Sequence, residues 1–153
     1  MSTNVIAFAP PKQMIDFWVP GIPQPGGSKK GFYNPKLGFT KIVDTNEAKV
    51  KPWRATVSQA AIDSGAALLD GPLRVRFDFV FPRPKGHFGK RGLKVNAPPF
   101  HSVRPDATKL IRSTEDALKG ILWRDDSQIV TQAATKRYGE QAGCRIRVAP
   151  EKA

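Results

Sequence analysis

Residues 73–81 read Leu-Arg-Val-Arg-Phe-Asp-Phe-Val-Phe, with apolar and polar side chains alternating along most of the stretch. Successive side chains of a strand point to opposite faces, so every second residue lies on the same face, and here these residues are all apolar. The other face carries Arg74, Arg76 and Asp78. This pattern predicts a strand with one face in the core and the other open to solvent or to a partner.

Weaker patterns on both sides of this strand predict the remaining elements. Pro20 ends a short strand at residues 17–19, and a proline- and glycine-rich loop follows it. The other predicted elements are an extended piece at 39–43, helices at 51–64 and 107–121, and a terminal hairpin formed by 128–136 and 144–148. Pro52 fits a helix only in its first turn. We therefore expect an α+β fold: one compact domain at 13–150 with a mixed β-sheet and two main helices, after a flexible terminus at 1–12.

The charge balance points to a polyanionic partner. The chain has 153 residues, with 25 Lys and Arg against 13 Asp and Glu, giving a net charge of +12. A composition of 40% hydrophobic residues is that of a folded protein, so the excess charge lies on a folded surface. A solubilising basic surface is the alternative that charge alone leaves open.

Several protein classes are excluded by composition. No run approaches the roughly 20 apolar residues that span a bilayer, and the first 20 residues lack a secretion signal. We expect a soluble, cytoplasmic protein with no membrane partner. The single cysteine, Cys144, excludes an intrachain disulfide and a cysteine zinc cage, and its alternating surroundings predict a core position.

The segment 82–105 is predicted to be a long basic loop that contacts DNA. It contains no acidic residue and carries six cations: Arg83, Lys85, Lys90, Arg91, Lys94 and Arg104. The interleaved rings of Phe88, Phe100, His87 and His101 provide surfaces on which unstacked bases can stack. Lys29 and Lys30, and Lys109 farther along the chain, are further candidate DNA contacts. A floppy basic insertion is the competing interpretation.

The scarce acids gather just after this loop. Glu115, Asp116, Asp125 and Asp126 fall within twelve positions, and Asp106 lies shortly upstream. Phosphodiester hydrolysis needs hard cations such as Mg²⁺, which bind carboxylate oxygens. Each acid also has an ordinary structural role available. Asp106 can cap a helix, Glu115 can pair with a neighbouring helical cation, and Asp125 can stabilise a turn.

Three motifs in this region resemble a known family. They are Arg-Pro-Asp-Ala-Thr-Lys-Leu-Ile-Arg at 104–112, Glu-Asp-Ala-Leu-Lys-Gly at 115–120 and Trp-Arg-Asp-Asp-Ser-Gln-Ile-Val at 123–130. Together they resemble the signature of RusA-type Holliday junction resolvases. The proline-rich stretch at 19–25 and Lys136 add weaker similarity. The resemblance implies a RusA-like nuclease domain over residues 13–150.

The resemblance also implies roles for individual residues. The family's first essential aspartate corresponds to Asp106, and the aspartate of the last motif to Asp126, with Asp125 beside it. Asp116 matches the acid of the central helix. The implied metal ligands for Mg²⁺, or Mn²⁺, are Asp106, Asp126, Asp125, Glu115 and Asp116. The implied catalytic residues are Asp106, Asp126, Arg112, Glu115 and Lys136.

The chain departs from the family pattern at Thr108, Lys109 and Arg112, where the family has aspartate, asparagine and lysine. Threonine cannot supply the missing negative charge, and arginine serves as a fixed cation and not as a base. Glu115 lies seven residues after Thr108, on the same helical face, and is our candidate for the missing carboxylate. Without such compensation the site would bind junctions but cut them weakly or not at all.

We therefore expect a Mg²⁺-dependent, structure-selective endodeoxyribonuclease. It would nick four-way (Holliday) or branched DNA junctions during recombination and repair. The resemblance implies a homodimer, because a symmetric junction requires two matched nicks. The gene's origin, in a cell, phage or prophage, stays open. The alternatives are a catalytically inactive protein that binds branched DNA, and a non-enzymatic basic protein associated with RNA.

Overall fold

The predicted strand at 73–81 is the central element of the fold. In a computed structural model of the chain, which describes residues 14–27, 29–44 and 46–153, it pairs with a neighbouring strand on each side. The expected flexible terminus at 1–12 lies outside the described residues. The elements in chain order are β1 (Ile15–Pro20), β2 (Lys29–Asn34), β3 (Phe39–Asp44), α1 (Glu47–Asp63), β4 (Leu73–Phe81), β5 (Phe88–Gly89), β6 (Gly92–Leu93), α2 (Ala107–Leu118), β7 (Ile129–Tyr138) and β8 (Gly143–Pro150).

One face of the main sheet forms the core with both helices. This four-stranded sheet has the order β1-β8-β4-β7. The alternating apolar residues of β4 are buried, as predicted. They pack with Trp53 and Val57 of α1 and with Leu110 and Leu118 of α2. Cys144 is also buried in this core, as its alternating neighbours indicated. The α+β prediction, with a mixed sheet and two helices, is therefore confirmed.

The predicted terminal hairpin is wrong. Strands β7 and β8 are joined by a short turn, but β4 lies between them. β4 pairs in parallel with β7 and antiparallel with β8. Gly139 at the start of the turn donates from its backbone N–H to the carbonyl of Phe81, where β4 ends (3.0 Å). Inserting β4 there lets its apolar face, which is rich in phenylalanine, occupy the centre of the core.

Both helices differ from their predicted bounds. α1 begins at Glu47, four residues before the predicted start, so Pro52 lies inside the helix. The helix tolerates Pro52 because Pro52 and Ala48 are exposed, so water can reach the Ala48 carbonyl that lacks a helical donor. α2 ends at Leu118, three residues before the predicted end, and its predicted apolar stripe is mostly buried.

The basic segment at 82–105 has more regular structure than predicted. It contains a short 3₁₀ turn at Lys85–His87 and the two-stranded β5–β6 hairpin. Its return path follows the end of β7, where the backbone N–H of His101 donates to the carbonyl of Lys136 (3.0 Å). The N–H of Tyr138 donates in turn to the carbonyl of Pro99 (3.1 Å). These long-range hydrogen bonds order the segment although its sequence has no periodicity.

Strands β2 and β3 form a separate antiparallel hairpin with exposed apolar side chains. These side chains are Phe32, Tyr33, Leu37, Phe39 and Ile42. The side chains of Lys29 and Lys30, two predicted DNA contacts at the start of β2, lie outside the described part of the structure. Among the described residues, no helix has the length and apolar character required to cross a membrane.

Candidate active site

Helix α2 and strand β7 run alongside each other and carry most of the predicted site. At the start of α2, Lys136 of β7 donates from Nζ to the carbonyls of Val103 (2.7 Å) and Pro105 (2.8 Å). At the other end of the helix, Gln132 of β7 donates from Nε2 to the carboxylate of Glu115. The helix and the strand are therefore antiparallel, with predicted site residues at both ends of their contact.

The first end of this contact holds Asp106 and Lys136. The backbone carbonyl of Asp106 accepts the first helical hydrogen bonds, from the N–H groups of Lys109 and Leu110 (both 3.1 Å). The Asp106 side chain makes no capping hydrogen bond, contrary to the capping role proposed from sequence. Its exposed carboxylate is thus available to a ligand. Burial lowers the pKa of Lys136, and the nearby Asp106 carboxylate partly offsets that shift.

The second end gathers acidic side chains. The pKa of Glu115 is raised to about 7, mainly by burial and to a smaller extent by repulsion from the Asp126 and Asp116 carboxylates. The hydrogen bond from Gln132 acts against this increase. Asp126 accepts a hydrogen bond of 2.7 Å from the indole Nε1 of the buried Trp123. The structure therefore brings Glu115 and Asp126 together and orients the Asp126 carboxylate from the core.

Asp125, beside Asp126, has a local structural role. Its carboxylate accepts the backbone N–H of Ser127 (2.9 Å), and the side chain of Gln128 closes the capping box of the short 3₁₀ turn Asp126–Gln128. The hydrogen bond from the Ser127 backbone holds the pKa of Asp125 below its usual range. This is the turn role that the sequence left open for Asp125, and it positions the adjacent Asp126.

Arg112 and Asp116 line a cavity of about 760 Å³ on a different side of α2. Arg54 of α1, the glycines Gly26 and Gly27, and Ile42 of β3 are also part of its lining. The helical wheel places Arg112 and Glu115 on one face of α2. In the structure, however, Arg112 lines this cavity, whereas Glu115 contacts β7.

The acids near the C-terminal end of α2 can be compared with the ligands that a divalent cation requires. Within the described residues, no three side chains of the His, Cys, Asp or Glu type are arranged to hold a metal ion. Mg²⁺ commonly uses only one or two protein carboxylates and completes its shell with water. Glu115, whose pKa is raised by burial and by the Asp126 carboxylate, is also the kind of group that a bound cation stabilises. Glu115 and Asp126 therefore fit such an ion.

Asp106 lies away from Glu115. Asp106 and Glu115 are nine positions apart along α2, which corresponds to a rise of about 13 Å. That separation is too large for both carboxylates to enter the coordination shell of one ion whose ligands lie roughly 2.1 Å away. Glu115 thus lies near Asp126 and not near Asp106.

The predicted DNA contacts divide into exposed and internally bound cations. The exposed ones are Lys85, Lys90, Arg91, Lys94 and Arg104. Arg83 instead donates to the carbonyl of Pro98 (2.8 Å) and lies over the ring of Tyr138. Lys109 is half-buried and lines a second large cavity, which also contains Asp106.

Two of the four predicted stacking rings are engaged inside the protein. His101 is buried against Phe81, with ring centroids 4.0 Å apart, and His87 meets the edge of Tyr138 at 4.8 Å. The expectation that these histidines offer free stacking surfaces is therefore wrong. Phe88 and Phe100 stay about half exposed, and Arg137 lies 4.7 Å over the ring of Phe100.

Sequence reasoning missed two partners of the acids and one wall of the second cavity. Gln132 was interpreted only as part of a strand, and Trp123 only as part of a motif. The motif contained a usable signal, because a buried indole N–H requires an acceptor and Asp126 is three residues away. The cavity wall is the proline-rich turn at 22–25, whose contacts with α1 and α2 are long-range.

Two comparisons relate the chain to known proteins. A family model described as endodeoxyribonuclease RusA matches residues 26–149. A curated relative, uncharacterized protein YqaN of Bacillus subtilis (strain 168), is 24% identical over 138 residues, which cover 88% of this chain and 94% of the relative. The family match includes β4, the basic segment, α2 and the acids on both sides of its C-terminal end. The chain therefore belongs to the RusA endodeoxyribonuclease family.

Proposed function

We propose that this protein is a Mg²⁺-dependent endodeoxyribonuclease that nicks four-way DNA junctions during recombination and repair. Membership of the family implies endodeoxyribonuclease activity and binding to branched DNA. The observation that carries the proposal is the crowding of Glu115 with Asp126 and Asp116 on a chain with a net charge of +12. A substrate of this kind implies an intracellular site of action.

Glu115 and Asp126 are the proposed metal-binding pair, with Asp116 and Asp125 close by in the chain. In this arrangement Glu115 adds a carboxylate beside Asp126, at the other end of α2 from Thr108. Bound Mg²⁺ would polarise a phosphoryl oxygen and lower the pKa of bound water. Mn²⁺ suits the same carboxylate oxygens. The hydrogen bonds from Trp123 to Asp126 and from Gln132 to Glu115 support the proposal, because they orient both carboxylates before a ligand arrives.

Asp106 and Lys136 form the proposed second part of the site. The Lys136 ammonium is held by the carbonyls of Val103 and Pro105, so it fixes the segment that leads into Asp106. We assign Lys136 the task of positioning Asp106, and its charge is close enough to attract a phosphate. Asp106 itself is the family-matched aspartate, and its carboxylate has no capping bond to give up when substrate binds.

Arg112 is proposed to hold a phosphate of the substrate. Arg112 is exposed at a cavity that Gly26 and Gly27 also line. A permanently charged, planar guanidinium suits bidentate contact with phosphate oxygens. Replacing the family's lysine by Arg112 therefore favours clamping of the phosphate over proton transfer.

The basic segment is proposed to hold the DNA backbone next to these residues. Lys90 and Arg91 project from the turn between β5 and β6, and Lys85 and Lys94 flank this hairpin. Neutralising phosphates with such side chains releases counterions, so the affinity should decrease steeply as salt increases. The half-exposed ring of Phe88 offers a stacking surface on the same hairpin.

A homodimer is proposed because a four-way junction has two equivalent strands to cut. The apolar side chains exposed on the β2–β3 hairpin, including Phe32 and Phe39, are surface that a subunit contact would bury. Sedimentation should give twice the chain mass of 16.8 kDa. A monomer at every accessible concentration would contradict the dimer but not the nuclease.

The nuclease proposal is tested with a labelled four-way junction. We expect symmetric nicks with Mg²⁺ and none with EDTA. Asp106→Asn should reduce the rate by about 10²-fold or more, the range found for groups acting directly in the chemistry. Asp63→Asn is the matched control, because Asp63 lies at the exposed end of α1, where its carboxylate accepts a hydrogen bond from Gln59 Nε2 (2.8 Å). Equal rates for both variants would remove Asp106 from the proposed site.

The second candidate is a non-catalytic protein that binds branched DNA. It is favoured by Thr108, an exposed hydroxyl on α2 at the position where the family has an aspartate. In the same assay, this candidate predicts that the junction is retained both with Mg²⁺ and with EDTA, and that neither condition yields a nick.

A further inference from the structure

A cleft of about 670 Å³ lies next to Asp106, and neither α2 nor the basic segment forms it alone. One wall is the proline-rich turn at 22–25, and Arg104 to Asp106, at the start of α2, also line the cleft. Lys49, in the first turns of α1, and the buried rings of Phe81 and His101 are also part of the lining. The volume is within the range of small-ligand sites.

The turn that forms this wall is fixed by its backbone. The N–H of Gly26 donates to the carbonyl of Lys109 (3.0 Å), and Ser113 Oγ donates to the carbonyl of Gln24 (2.6 Å). Asn46 Nδ2 donates to the carbonyl of Pro25 (2.8 Å). These three bonds attach the turn to both helices. Within the described part of the chain, the side-chain amide of Gln24 has no hydrogen-bond partner, although it lines the cleft.

The charges and surfaces of the cleft match a nucleotide. The lining contains three cations, Lys49, Arg104 and Lys109, but only one acid, Asp106. Its net positive charge therefore favours an anion. The exposed Ile22 side chain provides an apolar surface, and the side-chain amide of Gln24 offers both a donor and an acceptor to the edge of a base. A stacked base pair inside a duplex cannot enter such a cleft, whereas an unstacked base can.

We propose that this cleft holds one unstacked nucleotide of the junction strand that passes Asp106. Gln24 hydrogen-bonds to the base edge, and Lys49, Arg104 and Lys109 hold the flanking phosphates. The inference deepens the proposed function and rests on it, because Asp106 joins the cleft to the nuclease site. Unstacking costs a few kcal/mol and costs least where a base is already poorly paired, as at a branch point.

The cleft is tested by 2-aminopurine scanning of a four-way junction with the full chain in EDTA, so that nothing is cut. This analogue fluoresces more strongly when it is unstacked. We expect an increase of about twofold or more at one position per bound strand, and no change at positions farther away. A uniform signal at all positions, with the junction fully bound in a gel-shift assay, would overturn the inference.

The role of Gln24 is tested by varying the natural base at the responsive position. The wild-type protein should bind its preferred base at least about fivefold more tightly than the poorest one, the lower end of what one good base contact contributes. Gln24→Ala should reduce that ratio to near one. Gln141→Ala, an exposed glutamine in the turn between β7 and β8, should retain it. An unchanged ratio in Gln24→Ala overturns the role of Gln24, and thermal unfolding of each variant identifies a folding defect.

Failure of the proposed function gives a different result. It would show as intact junctions in Mg²⁺, whereas the fluorescence and base-preference measurements need neither metal nor cleavage. If no junction binds, a single-stranded oligonucleotide with central 2-aminopurine is titrated directly. A fluorescence change that Lys49→Gln and Gln24→Ala both weaken supports the cleft, and the absence of any change overturns it.

Discussion

Two acids beside the main sheet, Asp78 and Glu115, have opposite environments. Asp78 lies on the open face of β4, where it accepts hydrogen bonds from Thr135 (2.6 Å), Arg147 (2.7 Å) and Arg76 (3.2 Å). Partial burial would raise the pKa of Asp78, but these three hydrogen bonds, together with the charge of Arg76, leave it lowered. Asp78 is therefore a stabilised carboxylate that holds two arginines in place.

Glu115 has the opposite surroundings. Burial and the nearby carboxylates of Asp126 and Asp116 raise the pKa of Glu115 to about 7. Among the described residues it forms no ion pair, although the chain has twelve more positive than negative charges. The cations thus stabilise the acid on the open sheet face, whereas the charged neighbours that shift the pKa of Glu115 are other carboxylates. That difference separates a structural carboxylate from one that is available to a ligand.

The largest expected effect is on catalysis, and it tests whether Glu115, unlike Asp78, takes part in the reaction. Glu115→Gln should reduce metal-dependent nicking by at least about 100-fold, since groups that merely orient metal ligands contribute up to that factor. Asp78→Asn should leave the rate per folded molecule unchanged. Single-turnover cleavage of a four-way junction measures both. Normal cleavage by Glu115→Gln would show that crowding of the acids has no part in the chemistry.

The next effect tests the structural acid. Asp78→Ala should lower the free energy of unfolding at pH 7 by about 1–3 kcal/mol, because Arg76 and Arg147 lose their shared acceptor. The folded-state pKa of Asp78 is lowered, so its contribution is present above the unfolded pKa of 3.8 and is lost as the pH falls through the folded value. Urea unfolding at pH 7 and pH 3 measures the difference. Asp63→Ala is the control, and an equal loss in that variant would contradict the special role of Asp78.

A smaller effect with the opposite sign is expected at Glu115. Its folded pKa of about 7 exceeds the ordinary glutamate pKa of 4.5, so this carboxyl stabilises the fold below pH 4.5 relative to pH 8. Glu115→Gln should therefore be more stable than wild type at pH 8, by about 1 kcal/mol after allowance for solvent screening, and similar at pH 4. Thermal unfolding against pH tests this.

Adding Mg²⁺ at pH 8 provides an independent check. The ion should stabilise the wild-type protein more than Glu115→Gln, since a ligand that binds only the folded state raises its stability. Equal stabilisation of both proteins would place the ion elsewhere.

The smallest expected effect concerns a cation that is exposed and not bound to an acid of the sheet. Lys90 is exposed on the β5–β6 hairpin, whereas Arg76 and Arg147 bind Asp78. Lys90→Gln should reduce the slope of log affinity against log salt by about 1, with little change in stability. Junction binding at several salt concentrations measures this slope. Lys152→Gln, near the exposed C-terminus, should behave as wild type, and equal slopes for all three proteins would remove Lys90 from the interface.

Local patterns predicted the elements whose burial depends on periodicity. The bounds of β4 and the buried stripe of α2 were accurate because alternation and helical spacing determine which face enters the core. The order of strands could not be obtained in this way. Alternation in β7 and β8 identifies their faces but not their neighbours, so the insertion of β4 between them was missed.

The motifs of the candidate site could also be found in the sequence, but their grouping could not. The order of Asp106, Asp116 and Asp126 within the motifs was enough to indicate the family. The helical wheel suggested that Glu115 would act with the residues around Asp106. The structure places it beside Asp126 and Gln132 instead, because α2 lies antiparallel to β7.

By itself, the sequence determined the fold class, the family and the excess of positive charge, since these depend on composition, periodicity and the order of motifs. Only the tertiary structure decided which acids are neutralised and which are crowded. It also decided that the proline-rich turn forms one wall of a cleft at Asp106. Both outcomes depend on contacts between residues far apart in the chain, and local spacing carries no information about such contacts.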